Sequence, residues 1–170
     1  MAERTAELDD PHGEVHFLGR FAPRTVLDGG CGTGRVAAEL HRRGTEVVGV
    51  DVDPSMLTVA RRAAPEVPFV ESDLTTLALD QRFDVVLLAG NVPLFTPPGT
   101  TAALVAACAA HLAEHGHLVA GFSLDRGYDL ATYDAEAEAA GLQLVERYAT
   151  WDREPFEGGD YAVSVHRAAT

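Results

Sequence analysis

The sequence predicts an α/β protein: a three-layer, doubly wound sheet of seven strands, mostly parallel, with an antiparallel strand at the C-terminal end. Short β-branched runs alternate with helical patterns along almost the whole chain, which is typical of parallel strands covered by helices. The length of 170 residues suits one domain. The last two predicted strands are joined by a loop too short for a crossover helix, so we expect them to be antiparallel neighbours.

The first two strand–helix units are bounded by recognisable turn residues. A strand at 25–27 leads through a glycine cluster to a helix at 35–43, and Gly44 ends that helix because glycine accepts the left-handed conformation that follows a helix. A second strand at 46–50 precedes a helix over 54–64 that begins at Pro54, where the missing backbone N–H costs nothing.

The later elements continue the alternation. Residues 83–89 are almost wholly apolar, as a central parallel strand buried on both faces should be. The alanine-rich stretch 100–114 predicts a helix, followed by Gly116 and a strand at 117–122. The other predicted elements are a strand at 67–70, a helix at 130–140 and two final strands at 142–148 and 161–166.

Composition and charge exclude several classes of function. The net charge of −13 and the pI near 4.8 disfavour contact with a phosphate backbone, so we expect no nucleic-acid partner. The chain has no apolar run long enough for a membrane span and no signal-peptide pattern at its start, which predicts a cytoplasmic protein. Cys31 and Cys108 lie far apart without a metal-binding spacing, so neither a disulfide framework nor a thiolate metal site is expected.

We divide the chain into an N-terminal arm over 1–22, which serves as a partial lid, and a single domain over 23–170. No repeat, linker or charge run marks a second domain.

Three acidic residues follow the first three predicted strands. Asp28, Asp51 and Asp73 are 23 and 22 residues apart, so one strand–helix unit separates each from the next. In open α/β sheets, ligands bind beyond the carboxyl ends of the strands. The sequence therefore predicts a ligand site that these carboxylates share.

The loop DGGCGTG over 28–34 joins the first strand to its helix, and its glycines allow a ligand to approach the backbone closely. Asp51, 19 residues beyond Gly32, lies where dinucleotide-binding domains place an acid on the ribose hydroxyls. Asp53, directly before Pro54, is the better candidate for the cap of the following helix. We therefore assign Asp51 to a ribose.

Four strings, VLDGGCGTG, GVDVDPSML, ESDL and FDVVLLAGN, resemble in order and spacing the motifs of the class I S-adenosylmethionine-dependent methyltransferases. The resemblance covers about residues 12 to 167. It implies that the chain binds S-adenosylmethionine, releases S-adenosylhomocysteine and methylates an acceptor. Its extra antiparallel strand matches the family's seventh strand.

The resemblance also implies residue roles. The glycine loop would hold the methionine part of the cofactor and Asp51 the ribose, whereas Asp73 with Leu74 would meet the adenine edge, and Val52 and Met56 its face. Asp28 would orient the loop, or the cofactor's ammonium through water. A sulfonium cation suits such an acidic cleft better than a pyrophosphate does. The full set of expected cofactor-binding residues is Asp28, Gly29, Gly30, Cys31, Gly32, Gly34, Asp51, Val52, Met56, Asp73, Leu74 and Ala89.

Two alternatives remain at this point. Residues 32–37 formally satisfy the pattern GxGxxG/A, which would suit an NAD(P)-binding oxidoreductase domain. The second alternative is a non-catalytic protein that binds S-adenosylmethionine. It remains because the sequence indicates binding more directly than turnover.

The acceptor should lie among the loops after strands four to six, and we expect a small molecule. Asn91-Val92-Pro93-Leu94-Phe95 departs from the motif of the relatives that methylate amide or exocyclic amino nitrogens, which leads away from nucleobases and glutamine. Methyl transfer from a sulfonium mainly requires alignment, so we name no catalytic residue. The residues expected to line the pocket are Asn91, Phe95, Ser123, Tyr128 and Trp151, with Asp125 and Phe156 as further candidates.

His12 and His16 flank Gly13-Glu14-Val15 and would share one helix face. The order HGEVH differs from the zinc motif HExxH and no third ligand is in view, so we expect no metal. We expect this stretch to lie across the cofactor cleft as the start of the lid. The arm is shorter than the lid of the family, so either the pocket is open or a second copy covers it in a homodimer. His41, His111, His115 and His117 are expected at solvated surface positions.

Overall fold

A computed structural model describes residues 11–169. Its seven strands form one sheet in the order β3-β2-β1-β4-β5-β7-β6. Six strands are parallel, whereas β7 is antiparallel to both β5 and β6, which confirms the predicted mixed sheet. The strands are β1 Thr25–Gly29, β2 Glu46–Asp51, β3 Phe69–Glu71, β4 Phe83–Leu88, β5 Leu112–Ser123, β6 Leu142–Tyr148 and β7 Tyr161–Ala168.

Helices cover both faces of the sheet and bury two separate apolar clusters. Residues of α1, α2 and α3 form one cluster with the underlying strands, and residues of α5 and α6 form the other. The central strand β4 contributes Val85 and Leu87 to the first cluster and Val86 and Leu88 to the second, because successive side chains of a strand point to opposite faces. The helices are α1 Gly13–Leu18, α2 Arg35–Arg42, α3 Pro54–Ala63, α4 Val92–Phe95, α5 Thr101–Ala110 and α6 Leu130–Ala139.

The predicted helix boundaries near the first two strands are confirmed. The Asp53 carboxylate accepts a hydrogen bond from the Ser55 backbone N–H at 2.9 Å and so caps α3, with Pro54 at the first helical position. Gly44 has a φ of +90° after the end of α2, the conformation expected of a glycine in that place.

The predicted boundary between α5 and β5 is wrong. The helix ends at Ala110 instead of 114, and β5 begins at Leu112, which pairs with Phe83 of β4. His111 stands between them and is buried, so the prediction of a surface position is also wrong for this histidine. Its backbone carbonyl accepts from the Phe83 N–H at 2.8 Å, and its Nε2 accepts from the Leu79 N–H at 3.0 Å. These long-range bonds end the helix early.

A membrane-spanning helix and a metal site are both absent from the described residues. No helix within residues 11–169 is long and apolar enough to cross a membrane. Over the same residues, no group of histidine, cysteine, aspartate and glutamate side chains has the arrangement of a metal site.

Candidate cofactor site

The sheet has its topological switch between β1 and β4, which are neighbours although the chain winds away from them in opposite directions. A crevice therefore opens beyond the carboxyl ends of these two strands, where such folds bind ligands. The glycine loop follows β1 at this crevice, and the segment that begins with Ala89 follows β4.

The four glycines of the loop have different surroundings. A Cβ atom at Gly29 would lie 2.8 Å from the Leu88 side chain, and one at Gly30 would lie 2.7 Å from that of Val92. At Gly34 a Cβ would meet Ala60 at 2.9 Å. Gly32 alone of the four has open space where a side chain would be, and its φ is +55°. Close contacts within the protein thus explain why three of these positions lack a side chain. Gly32 has no such contacts, and its missing side chain leaves room for a ligand.

Cys31 turns inward from the loop. Its side chain is buried, and burial raises the pKa of its thiol to about 12, so the group stays an unreactive thiol. The backbone N–H groups of Gly30 and Cys31 both donate to the Val50 carbonyl, at 2.8 and 2.9 Å. These bonds attach the loop to the neighbouring strand β2.

Asp51 joins the glycine loop to the segment that follows β2. One oxygen of its carboxylate accepts from the Gly32 N–H at 2.8 Å, and the other accepts from the Asp53 N–H at 2.9 Å. Each carboxylate oxygen has capacity for another donor. The two backbone donors therefore fix the orientation of Asp51 and leave acceptor capacity for a pair of hydroxyl groups.

Apolar side chains lie exposed next to Asp51. Val52 is 68% exposed and Met56, in the first turn of α3, is 40% exposed, which suits the face of a purine ring. Asp73 is exposed too, but its Oδ1 accepts from the backbone N–H and the hydroxyl of Thr75, which lowers its pKa. Leu74 and Ala89 are half-buried.

Asp28 is the electrostatic anomaly of the crevice. The residue is only 3% exposed, and its Oδ2 has no hydrogen-bond partner within residues 11–169. Burial is the main cause that raises its pKa to about 7, and the negative charges of Glu14 and Asp51 add to the effect, whereas Arg35 opposes it. A buried carboxylate oxygen without a hydrogen-bond partner is costly, so a cationic ligand that reaches it would be strongly favoured.

The structure gives Asn91 a role in the backbone after β4. Its φ is +58°, its Oδ1 accepts from the Ser123 N–H at 2.9 Å, and the short helix α4, which the sequence analysis missed, begins directly after it. Asn91 and Ser123 therefore lie together at the carboxyl edge. Phe95, at the end of α4, is 75% exposed.

Two of the predicted acceptor residues are held by contacts within the protein. The Tyr128 hydroxyl donates to Glu136, and the buried ring packs against Phe122 and Tyr133. Trp151 is 9% exposed, and its Nε1 donates to the Tyr161 hydroxyl at 3.0 Å. These contacts explain both residues without a ligand, and their assignment to the acceptor stays a prediction. Asp125 is exposed and Phe156 half-buried.

The described part of the arm docks beside the glycine loop. The Arg35 guanidinium donates to the Pro11 carbonyl at 2.5 Å and to the Glu14 carboxylate at 2.7 Å. His12 lies 3.9 Å from a Glu39 oxygen, and His16 lies 2.9 Å from the Arg43 guanidinium. The part of the predicted arm over residues 1–10 lies outside the described residues.

The sequence analysis missed Arg35 and Glu14. Arg35 follows directly on the glycine loop, which is the one local signal that could have singled it out. Glu14 belongs to the stretch expected across the cofactor cleft, but nothing in the sequence marked its carboxylate, because its effect on Asp28 depends on how α1 packs.

A doubly wound sheet with a glycine loop after its first strand and a carboxylate after its second is the architecture of nucleotide-binding α/β proteins. The comparison with protein families is more specific: residues 26–116 match the model of a methyltransferase domain. The chain belongs to this family of S-adenosylmethionine-dependent methyltransferases, and this removes the oxidoreductase alternative.

Solved structures resemble the chain over nearly its whole length. A TehB-like SAM-dependent methyltransferase from Corynebacterium glutamicum is 32% identical, with 96% of this chain and 91% of that one covered and a TM-score of 0.90. The CcbJ methyltransferase from Streptomyces caelestis is 26% identical, with coverages of 94% and 95% and a TM-score of 0.84.

A magnesium-protoporphyrin O-methyltransferase from Rhodobacter capsulatus is 40% identical over 78 residues. This match covers 43% of the present chain and 34% of the relative, so the chain spans about a third of the length of that curated relative.

Proposed function

We propose that this protein binds S-adenosylmethionine in the crevice beyond β1 and β4 and transfers its methyl group to a small-molecule acceptor. One observation carries the proposal: the open space at Gly32 lies next to the fixed Asp51 carboxylate, in a crevice where Oδ2 of the buried Asp28 has no hydrogen-bond partner among the described residues. These features suit a ligand that has both ribose hydroxyls and a positive charge.

Different residues would contact different parts of the cofactor. The Gly32 backbone would accommodate the methionine part, the free acceptor capacity of Asp51 would take the ribose hydroxyls, and Val52 with Met56 would cover the adenine face. The Asp73 side chain already accepts two bonds from Thr75, so the backbone around Leu74 is the better contact for the adenine edge. When bound, the cofactor supplies a methyl group on a sulfonium that is already activated for displacement.

The task left to the chain is to hold an acceptor in line with the cofactor and to exclude water. Asn91 and Ser123 bring the ends of two neighbouring strands together at 2.9 Å, and they would form the floor of the acceptor pocket. Phe95 would form a wall. No proton acceptor is required where the nucleophile arrives in its reactive form.

Charge supports the choice of acceptor class. The net charge of −13 disfavours a nucleic-acid substrate, so we infer a small-molecule acceptor. We also infer that the protein is cytoplasmic. A homodimer in which a second copy covers the pocket is the further part of this proposal, and analytical ultracentrifugation tests it.

The cofactor is tested first by thermal shift with S-adenosylhomocysteine and with reduced nicotinamide dinucleotide. The melting temperature should rise with the first ligand only, because a ligand that binds the native state alone stabilises it. A screen of small acceptors for release of S-adenosylhomocysteine then tests turnover. Binding without release for any acceptor would favour the non-catalytic alternative, and no binding would contradict the proposal.

A further inference from the structure

Glu14 is a negative charge outside the glycine loop that acts on the buried Asp28. It lies in the first turn of α1, its side chain is 16% exposed, and it accepts a hydrogen bond from Arg35 at 2.7 Å. The same guanidinium donates to the Pro11 carbonyl. Because Arg35 is the first residue of α2 and directly follows Gly34, these two bonds hold Glu14 at the glycine loop.

The charges around Asp28 do not balance. Among the groups that shift the pKa of Asp28 most, Glu14 on α1 and Asp51 on β2 act with a negative charge and Arg35 on α2 with a positive one. A hydrogen bond from the backbone of Ala37 is the remaining favourable contribution. Asp28 and the two carboxylates that act on it most strongly thus share the Arg35 guanidinium, which is already bonded to Glu14. A small cation with several N–H donors would relieve this imbalance.

We propose that Glu14 is a cofactor-selecting residue which, together with Asp28, recognises the ammonium group on the methionine part of S-adenosylmethionine, while Arg35 acts as the positioning residue that holds Glu14. This inference rests on the proposed function. An ammonium group has three donors and can bond both carboxylates at once, whereas the uncharged adenosine part gains nothing from them. Glu14 therefore discriminates between ligands that carry the ammonium group and ligands that lack it.

Two ligands separate this role from a general effect on the site. S-adenosylhomocysteine carries the ammonium group, and 5′-methylthioadenosine keeps the adenosine and the sulfur but lacks it. Titration calorimetry at about pH 8, where Asp28 is ionised, should show that Glu14→Gln weakens S-adenosylhomocysteine binding about tenfold, as for the loss of one charge-assisted bond. Affinity for 5′-methylthioadenosine should stay unchanged.

Glu146→Gln is the matched control. Glu146 forms an ion pair with Arg20, which lies shortly after α1, so this variant loosens the same N-terminal segment without changing a charge next to Asp28. Its affinity for both ligands should equal that of the wild type. An equal loss in Glu14→Gln and Glu146→Gln would show that Glu14 only docks the segment, and this would overturn the inference.

The dependence on pH gives a second readout that a merely structural role would not move. In the wild type, affinity for S-adenosylhomocysteine should fall as Asp28 takes up a proton below about pH 7. In Glu14→Gln the repulsion is removed, the pKa of Asp28 drops, and the fall should begin at lower pH. The variant thus binds more weakly at about pH 8 but loses less affinity on acidification.

Unchanged affinity for S-adenosylhomocysteine in Glu14→Gln, or an equal loss for 5′-methylthioadenosine, would overturn the role of Glu14 while the proposed function stands. A wild-type protein that binds neither ligand would instead contradict the proposed function, so the two failures are distinguishable.

Discussion

The Gly32 backbone N–H donates a hydrogen bond to the Asp51 carboxylate at 2.8 Å, so the loops after β1 and β2 form one unit. The bond has two consequences. It fixes the orientation of the carboxylate, and it links the open space at Gly32 to a residue of the next strand.

Asp51→Ala should weaken binding of S-adenosylhomocysteine by about 2 to 4 kcal/mol, because the variant loses two charge-assisted bonds to ribose hydroxyls. Titration calorimetry measures this. Asp53→Ala is the control: Asp53 caps α3 two residues away, so this variant should melt at a lower temperature and bind normally. Equal affinity of Asp51→Ala and wild type would contradict the ribose assignment.

Gly32→Val should abolish cofactor binding because the new side chain enters the space that the ligand needs. Valine at a positive φ also strains the backbone by about 1 to 2 kcal/mol, so a control with the same strain is required. Gly44→Val provides it, since Gly44 has a φ of +90° and open space but lies at the far end of α2. Circular dichroism and calorimetry on both variants should show similar destabilisation and a loss of binding in Gly32→Val only.

Without cofactor, Asp28→Asn should be more stable than the wild type at about pH 8, and the difference should shrink as the pH falls toward about 4. The pKa of Asp28 is raised to about 7 in the folded protein, so between its unfolded and folded pKa the native state holds a proton that the unfolded state has lost. Stability of the wild type therefore decreases as pH rises through this window, by about 4 kcal/mol at most.

Urea unfolding at a series of pH values measures this difference. Asp129→Ala should change the free energy of unfolding in the opposite direction. Hydrogen bonds from Thr132 lower the pKa of Asp129, so this variant should be less stable than the wild type at about pH 8. If the free energy of unfolding of Asp28→Asn varied with pH as that of the wild type does, Asp28 would not be the group that causes the pH dependence.

Phe95→Ala should reduce turnover of the acceptor found by screening while cofactor affinity and melting temperature stay near the wild-type values. The ring is 75% exposed, so its removal leaves no cavity in the core, and exposed substitutions change stability by about 0.5 kcal/mol or less. Steady-state kinetics with calorimetry measures both quantities. Normal turnover in Phe95→Ala would remove this residue from the acceptor pocket.

Trp151→Ala should lower the free energy of unfolding by about 3 to 5 kcal/mol because it leaves a large cavity. The ring lies edge-on to Phe17 with centroids 5.4 Å apart, and its loss also removes the hydrogen bond from Nε1 to the Tyr161 hydroxyl. Trp151→Phe should cost clearly less, since it keeps an aromatic ring in place. Urea unfolding compares the two variants. Near-normal stability of Trp151→Ala would mean that the residue serves a ligand and not the core.

The elements that local signals mark were predictable from the sequence. Pro54 with Asp53 and the glycine after α2 mark their boundaries within a few residues, and the structure confirms them. The end of α5 was not predictable. Alanine favours a helix through residue 114, but pairing of Leu112 with Phe83 and the bonds of His111 come from residues about 30 positions away, and such tertiary contacts override propensity.

In the candidate site, too, local sequence signals were predictable and tertiary contacts were not. The sequence marks four glycines in one loop, yet which of them faces open space depends on Leu88 and Val92, which are brought in by β4 and α4. Tyr128 stays a prediction at the acceptor, from its place after a strand, and the structure adds what the sequence did not mark: the ring is buried and its hydroxyl donates to Glu136.

The contacts that hold α1 also impose an order on biosynthesis. Arg20 and Glu146 are 126 residues apart, and Phe17 packs on Tyr148 and Trp151. These partners of α1 are translated long after it, whereas Arg35, which binds Glu14, is only 21 residues further along the chain. The α1 segment therefore has its partner at the glycine loop early in translation, and its contacts with β6 and Trp151 form only after the last part of the domain has been made.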